Sequence, residues 1–171
     1  MKTGLVLGKF LPLHKGHMAL VEFALQHCDR LIVLVCATAK ESIPGDTRRQ
    51  WLQATYHHQP RIQTQLLEYN DEHLPNTSVS SREASRLWAA QIGRAVPGID
   101  ILFSSEPYGD YVAEYLKIEH QCFDIARIQV PICASAILQH PIRNWEFIAP
   151  AARSFFVKKI CISGSESTGK S

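Results

Sequence analysis

The stretch GLVLGKFLPLHKGH, residues 4–17, decides the reading of this chain. An apolar run, Leu5 to Leu7, stops at Gly8, a lysine and a proline-bearing turn follow, and His14, Gly16 and His17 open a helix. Strand, loop and helix N-terminus in that order make a phosphate-friendly unit. The first N–H groups of a helix lack internal partners and carry a partial positive charge, so an anion there is stabilised without special side chains. Spacing of three places the His14 and His17 imidazoles on one face of the first turn, where both can donate to the same phosphate oxygens. Gly16 leaves room for a ligand to approach the backbone. Lys9, at the strand end, supplies a cation that can reach across the same cleft.

A His-x-x-His pair alone is usually a surface feature. Zinc is not expected here, because no third His, Cys or acid stands nearby at ligand spacing, and no metal ligand from a protein side chain is expected elsewhere.

The remaining chain reads as alternating strands and helices. Residues 16–27 place Leu20, Phe23, Ala24 and Leu25 at helical spacing, and Arg30 to Ala37 form a continuous apolar strand of the kind buried on both faces of a parallel sheet. After the break at Pro44 and Gly45, TRRQWLQATYHH reads as a helix with Arg48 in its first turn. Residues 61–69 are a weaker strand, and 70–81 a polar loop expected to act as a flexible lid. Ser80 or Ser81 caps the next helix, which carries Glu83 in its first turn and Leu87, Trp88 and Ile92 further on. Asp100 to Phe103 make a fourth strand ending in the loop SSEPYGD. A helix through Tyr111, Tyr115 and Leu116 follows, with a fifth strand over Phe123 to Ile128. This alternation predicts an α/β fold, a doubly wound parallel sheet with right-handed crossovers. With strand order 3-2-1-4-5, the GKFLPLHKGH and SSEPYG loops meet beyond the carboxyl ends of strands one and four, where such sheets bind ligands.

Composition narrows the class of protein. With 171 residues, 46% of them hydrophobic, the chain can fill one core but not two ordinary domains. The formal charge is +2, and the basic residues are scattered rather than blocked. Nothing in the charge pattern therefore calls for a nucleic-acid partner, and an acidic small molecule is the more natural one. The five cysteines, Cys28, Cys36, Cys122, Cys133 and Cys161, form no CxxC pair and are expected reduced and mostly buried. No membrane-length apolar run or signal-peptide pattern occurs, so a cytoplasmic location and no membrane partner are expected.

Taken together, the buried strand, Gly-Lys-Phe, Pro12 and His-Lys-Gly-His resemble the HxGH signature of the nucleotidyltransferase superfamily. More narrowly, they resemble the nicotinamide-nucleotide adenylyltransferases, particularly the domain that NadR-type NAD-biosynthesis proteins fuse to a ribosylnicotinamide kinase. The likeness covers nearly the whole chain. It implies a Rossmann-like sheet and transfer of AMP from ATP, with Mg²⁺, to nicotinamide mononucleotide (NMN), giving NAD and pyrophosphate.

The resemblance also implies roles for single residues. His14, His17 and Lys9 would be catalytic. Gly8, Phe10, Gly16, Ser104, Ser105 and Ser135 would bind ATP, with the SSEPYG loop contacting the adenine nucleotide. Arg48 resembles the arginine placed near the NMN phosphate, and Trp88 a tryptophan that stacks on the nicotinamide ring. At the C-terminal end, Gly164, Gly169, Lys170 and Ser171 fit the pattern G-x-x-x-x-G-K-[ST] after an apolar segment. They divide the chain into a nucleotidyltransferase domain, 1–157, and the first strand and P-loop of a truncated kinase domain, 158–171. A P-loop without its following helix is not expected to work. With Met1 directly before the first strand, a DNA-binding helix-turn-helix is not expected.

One departure stands out. The family carries a Ser/Thr-rich motif ending in arginine, approximately I-S-x-T-x-x-R, and the matching run here is ICASAIL, with Cys133 and Ser135 at the hydroxyl positions and Leu138 in place of arginine. Loss of such a phosphate contact costs about 3 kcal/mol, or roughly a hundredfold in rate, unless another cation replaces it. Arg143, five residues on, is the candidate replacement in the sequence, and 133–139 is expected as a helix packing Ile137 and Leu138 inward. The departure keeps two alternatives open: a catalytically weak nucleotide-binding sensor, and a sister transferase with another acceptor such as phosphopantetheine. The oligomeric state is also left open.

Overall fold

The computed structural model describes residues 1–72, 74–75 and 81–157. Five strands, β1 (Thr3–Gly8), β2 (Arg30–Ala37), β3 (Ile62–Glu68), β4 (Ile101–Ser104) and β5 (Glu119–Cys122), form one sheet in the order β3-β2-β1-β4-β5, all neighbours parallel. Helices α1 (Lys15–Leu25), α2 (Gly45–Thr55), α3 (Arg82–Ala95), α4 (Tyr108–Leu116), α5 (Ala134–Gln139) and α6 (Pro150–Arg153) cover it. The Rossmann-like doubly wound sheet and its strand order are those expected from the sequence.

The apolar runs explain the layering. Side chains alternate across a strand, so Leu5 and Leu7 enter one core while Val6 enters the other. The first core joins Val6, Val33, Val35 and Phe103 to Leu20, Val21 and Ala24 of α1 and Leu52 of α2. The second joins Leu5, Leu7, Ile32, Leu34 and Leu102 to Trp88 and Ile92 of α3 and Val112 of α4. Leu5, Val6 and Val33 are fully buried, each worth about 2 kcal/mol relative to exposure. No described helix is long and apolar enough to cross a membrane.

Three expectations are corrected. The fifth strand is Glu119–Cys122, upstream of the apolar FDIARI run. As an edge strand it buries little and needs no apolar pattern. The chain reaches it because α4 ends on Lys117 in the left-handed region, φ 58°. Residues 124–130 instead form a turn in which the Asp124 carboxylate accepts the N–H groups of Ile128, Gln129 and Val130. Tyr108 and Gly109 belong to α4 rather than to the preceding loop. Within α5, Ile137 is fully buried but Leu138 is 39% exposed, so the helix packs one of the two inward.

Ser81 caps α3 by accepting the Ala84 N–H at 3.1 Å. Ser80 and half of the expected lid, 73 and 76–80, lie outside the described residues, as do the whole of 158–171 and Cys161. Cys28 and Cys36 are buried free thiols, Cys133 is half-buried and Cys122 is exposed.

Candidate active site

β1 and β4 lie side by side, so the loops after them converge at the carboxyl edge of the sheet. Between them is a cleft of about 340 Å³ whose walls include Gly8, Lys9, His14, Gly16, His17, Ser104, Ser105 and Arg127. The loop after β1 is shaped by a left-handed Phe10, φ 49°, and a cis Leu11–Pro12 bond. A positive φ at a bulky residue is uncommon and is held only by its surroundings. Here the Phe10 ring is buried and lies 4.9 Å from the His17 ring. The segment after α5 clamps the same loop, with the Ala149 N–H donating to Leu13 O at 3.1 Å.

His14 is the N-cap of α1 and accepts the Gly16 N–H on Nδ1 at 3.1 Å. That bond fixes the neutral tautomer with the proton on Nε2. The His17 ring stacks on His14 with centroids 3.7 Å apart and planes inclined 26°. Burial, and then the nearby Arg127 charge, lower the His14 pKa to about 4. His17 is held well below its ordinary value by burial first, then by His14 and Arg127. Its Nδ1 is sealed from solvent with no partner among the described residues. Both rings are therefore neutral at pH 7 and become better proton holders when an anion arrives.

Ser104, on the cleft wall, begins a polar chain whose other members, His120 and Asp110, are not wall residues. Ser104 Oγ lies 3.0 Å from the Glu106 carbonyl and 2.9 Å from His120 Nε2, and His120 Nδ1 lies 2.7 Å from Asp110 Oδ1. Gly109 makes this packing feasible, because a Cβ there would collide with the His120 ring and Ser104 Oγ. Asp110, His120 and Cys122 are the one group of metal-ligating type among the described residues. Both His120 nitrogens are already occupied by hydrogen bonds.

The expected site residues divide into two sets. His14, His17, Lys9, Gly8, Gly16, Ser104 and Ser105 are brought together around the cleft. Lys9 is less free than its sequence position suggested, since its ammonium pairs with Glu41 at 3.1 Å. Phe10 stands behind His17, and Ser135 Oγ lies 3.2 Å from the Sγ of Cys133, which does line the cleft.

Arg48 and Trp88 do not line the cleft. Arg48 is fully buried, donating from Nη1 to Lys9 O at 2.6 Å and pairing through Nη2 with Glu41 at 2.5 Å. Trp88 is buried beside Tyr69 and donates its indole N–H to Pro75 O at 2.8 Å. Arg143 is exposed and also outside the cleft walls.

Arg127 was missed by the sequence reading, which put it inside a strand. The available signal was the Asp124-x-x-Arg127 spacing, in which the aspartate builds the turn that presents the arginine.

The parallel five-stranded sheet ordered 3-2-1-4-5 matches the Rossmann-like fold of the nucleotidyltransferases. Residues 5–67 match the family model described as cytidylyltransferase-like. The chain is similar over 98% of its length, at 29% identity, to the trifunctional NAD biosynthesis/regulator protein NadR of Escherichia coli (strain K12), and it covers 44% of that protein. It thus spans less than half the length of that curated relative. A nicotinamide-nucleotide adenylyltransferase of Methanocorpusculum labreanum is 28% identical over 63% of this chain and 60% of its own. Among solved structures, NadR protein in complex with NAD and AMP-PNP superposes with a TM-score of 0.72 at 22% identity, covering 98% of this chain and 50% of that one. The resemblance read from the opening motif thus extends to the fold as a whole.

Proposed function

We propose that this domain transfers the AMP moiety of MgATP to nicotinamide mononucleotide, forming NAD and pyrophosphate. The observation that carries the reading is the stacked His14–His17 pair at the N-terminus of α1, neutral at pH 7 and facing a cleft also walled by Lys9 and Arg127. The similarity to nicotinamide-nucleotide adenylyltransferases supports the choice of acceptor.

In this reaction an oxygen of the NMN phosphate attacks the α-phosphorus of ATP. The bond from that phosphorus to the α,β-bridging oxygen breaks, and its electron pair leaves with pyrophosphate. The attacking oxygen is already anionic, so no general base is needed, and catalysis reduces to alignment and charge stabilisation. His14 donates from Nε2–H, His17 binds phosphate oxygen beside it, and the α1 N-terminus adds its dipole.

Mg²⁺ enters as part of the nucleotide substrate, where it neutralises phosphate charge. The carboxylates lining the cleft suit that arrangement. Asp124 accepts three backbone N–H groups and Glu106 pairs with Arg127, so neither is committed to a resident ion.

Arg48 and Trp88 then act from behind the walls, the first by fixing the Lys9 carbonyl and the second by fixing Pro75. The P-loop pattern of 158–171 is assigned to the start of a second, kinase-type unit.

The test is NAD formation by the purified chain from MgATP and NMN, beside His17→Ala. Wild-type turnover with an approximately hundredfold lower rate in the variant, at unchanged fold, is the expected result. Equal turnover by the two proteins would remove the histidine from the mechanism. Nucleotide binding without turnover in the wild type would favour a sensor, the reading that Leu138 motivates.

A further inference from the structure

We propose that Arg127 is a catalytic residue of this cleft, supplying to the ATP phosphates the cation that the ICASAIL run lacks. The inference rests on the adenylyl-transfer reading and adds to it a residue outside the opening motif.

Three observations carry it. Lys9 and Arg127 are the lysine and arginine on the cleft walls among the described residues, and they differ in freedom. The Lys9 ammonium is held by Glu41, a carboxylate only 9% exposed that Arg48 also binds. The guanidinium of Arg127 is tied to Glu106 Oε1 at 3.2 Å, with both side chains nearly half exposed, and it also lies against the Cys133 thiol. Such a pair exchanges readily for a phosphate, to which the planar fork of arginine can bind bidentately.

Second, the backbone presenting Arg127 is fixed. Its own N–H donates to Asp124 O at 2.8 Å, and the Asp124 carboxylate holds the next three N–H groups. Asp124 and Arg127 both sit at positive φ, 47° and 53°, a conformation kept only because this bonding determines it.

Third, the alternatives are elsewhere. Leu138, at the family's arginine position, is 39% exposed and not on the cleft wall, and Arg143 is exposed outside the cleft. The Arg127 charge is felt by both His14 and His17, so it already acts on the histidine pair. An anion bridging arginine and histidines would reverse that effect. In the transferring step the negative charge grows on the bridging oxygen as the bond to the α-phosphorus breaks, and a guanidinium there stabilises it without moving a proton.

The experiment compares wild type, Arg127→Gln, Arg127→Lys and the control Arg143→Ala in steady-state NAD formation, with binding of AMP-PNP and of AMP measured on the same samples. Arg127→Gln is expected to lose about a hundredfold in kcat/KM for ATP and about tenfold in AMP-PNP affinity, with AMP affinity and thermal melting unchanged. Arg127→Lys recovers part of the loss and Arg143→Ala loses nothing. Arg127→Gln within threefold of wild type, or the loss appearing in Arg143→Ala, overturns the proposal. If wild type forms no NAD, the activity reading fails by itself, and AMP-PNP affinity decides Arg127: equal affinity in wild type and Arg127→Gln overturns it.

Discussion

At the scale of single residues, the site depends on charges and protons held in unusual places. His14 has a pKa near 4 when folded against an ordinary 6.5 when unfolded, so between those values the unfolded chain binds more protons. Its contribution is fully present above pH 6.5 and is lost as the pH falls towards 4, about 3 kcal/mol in all. Urea titrations across this window should show stability falling with pH in wild type. His14→Asn keeps a capping acceptor but cannot titrate, and it should show a shallower slope; an unchanged slope would mean that His14 is not the group responsible. Arg48 makes a different point. Removing a buried charge leaves its partner exposed to the full desolvation penalty, so Arg48→Ala should cost about 3 kcal/mol by stranding Glu41 and releasing the Lys9 carbonyl. A loss below about 1 kcal/mol would show that water or Lys9 takes over the pairing.

Between residues and fold stand the loops that close the cleft. The β4–α4 junction is set by Gly109, whose missing Cβ lets His120 reach Ser104. Gly109→Ala should displace that ring, lower the thermal midpoint and weaken nucleotide binding, with an overpacking cost of about 1–3 kcal/mol. Unchanged binding in a destabilised variant would confine the Ser104–His120–Asp110 chain to a structural role. Sequence spacing revealed the element ends that chemistry marks: Ser81 as a cap, and His14 to His17 as a helix start. It could not reveal β5, because an edge strand such as EHQC carries no apolar pattern and FDIARI carries a misleading one. Arg127 was lost with that misreading. Arg48 was expected near the NMN phosphate, and spacing along a helix does not report that Glu41, seven residues earlier, folds back to meet it.

For the molecule as a whole, the legible part was what repeats. Apolar runs on both faces of β1 and β2 require two covering layers, and the alternation of strands and helices requires crossovers, so a doubly wound parallel sheet followed, while its order 3-2-1-4-5 went with the family resemblance. Half of the cleft was legible for the same reason, since the loops after β1 and β4 must meet. The other half, contributed by the 124–130 turn and the start of α5, depends on contacts between segments more than a hundred residues apart and has no local signature. Adenylyl transfer in this cleft, as opposed to mere nucleotide holding, is tested by incubating the purified chain with NMN, Mg²⁺ and ATP labelled at the α-phosphorus. The expected result is label in NAD, with one unlabelled pyrophosphate released for each NAD formed. Label remaining wholly in ATP, with the nucleotide bound, would contradict it.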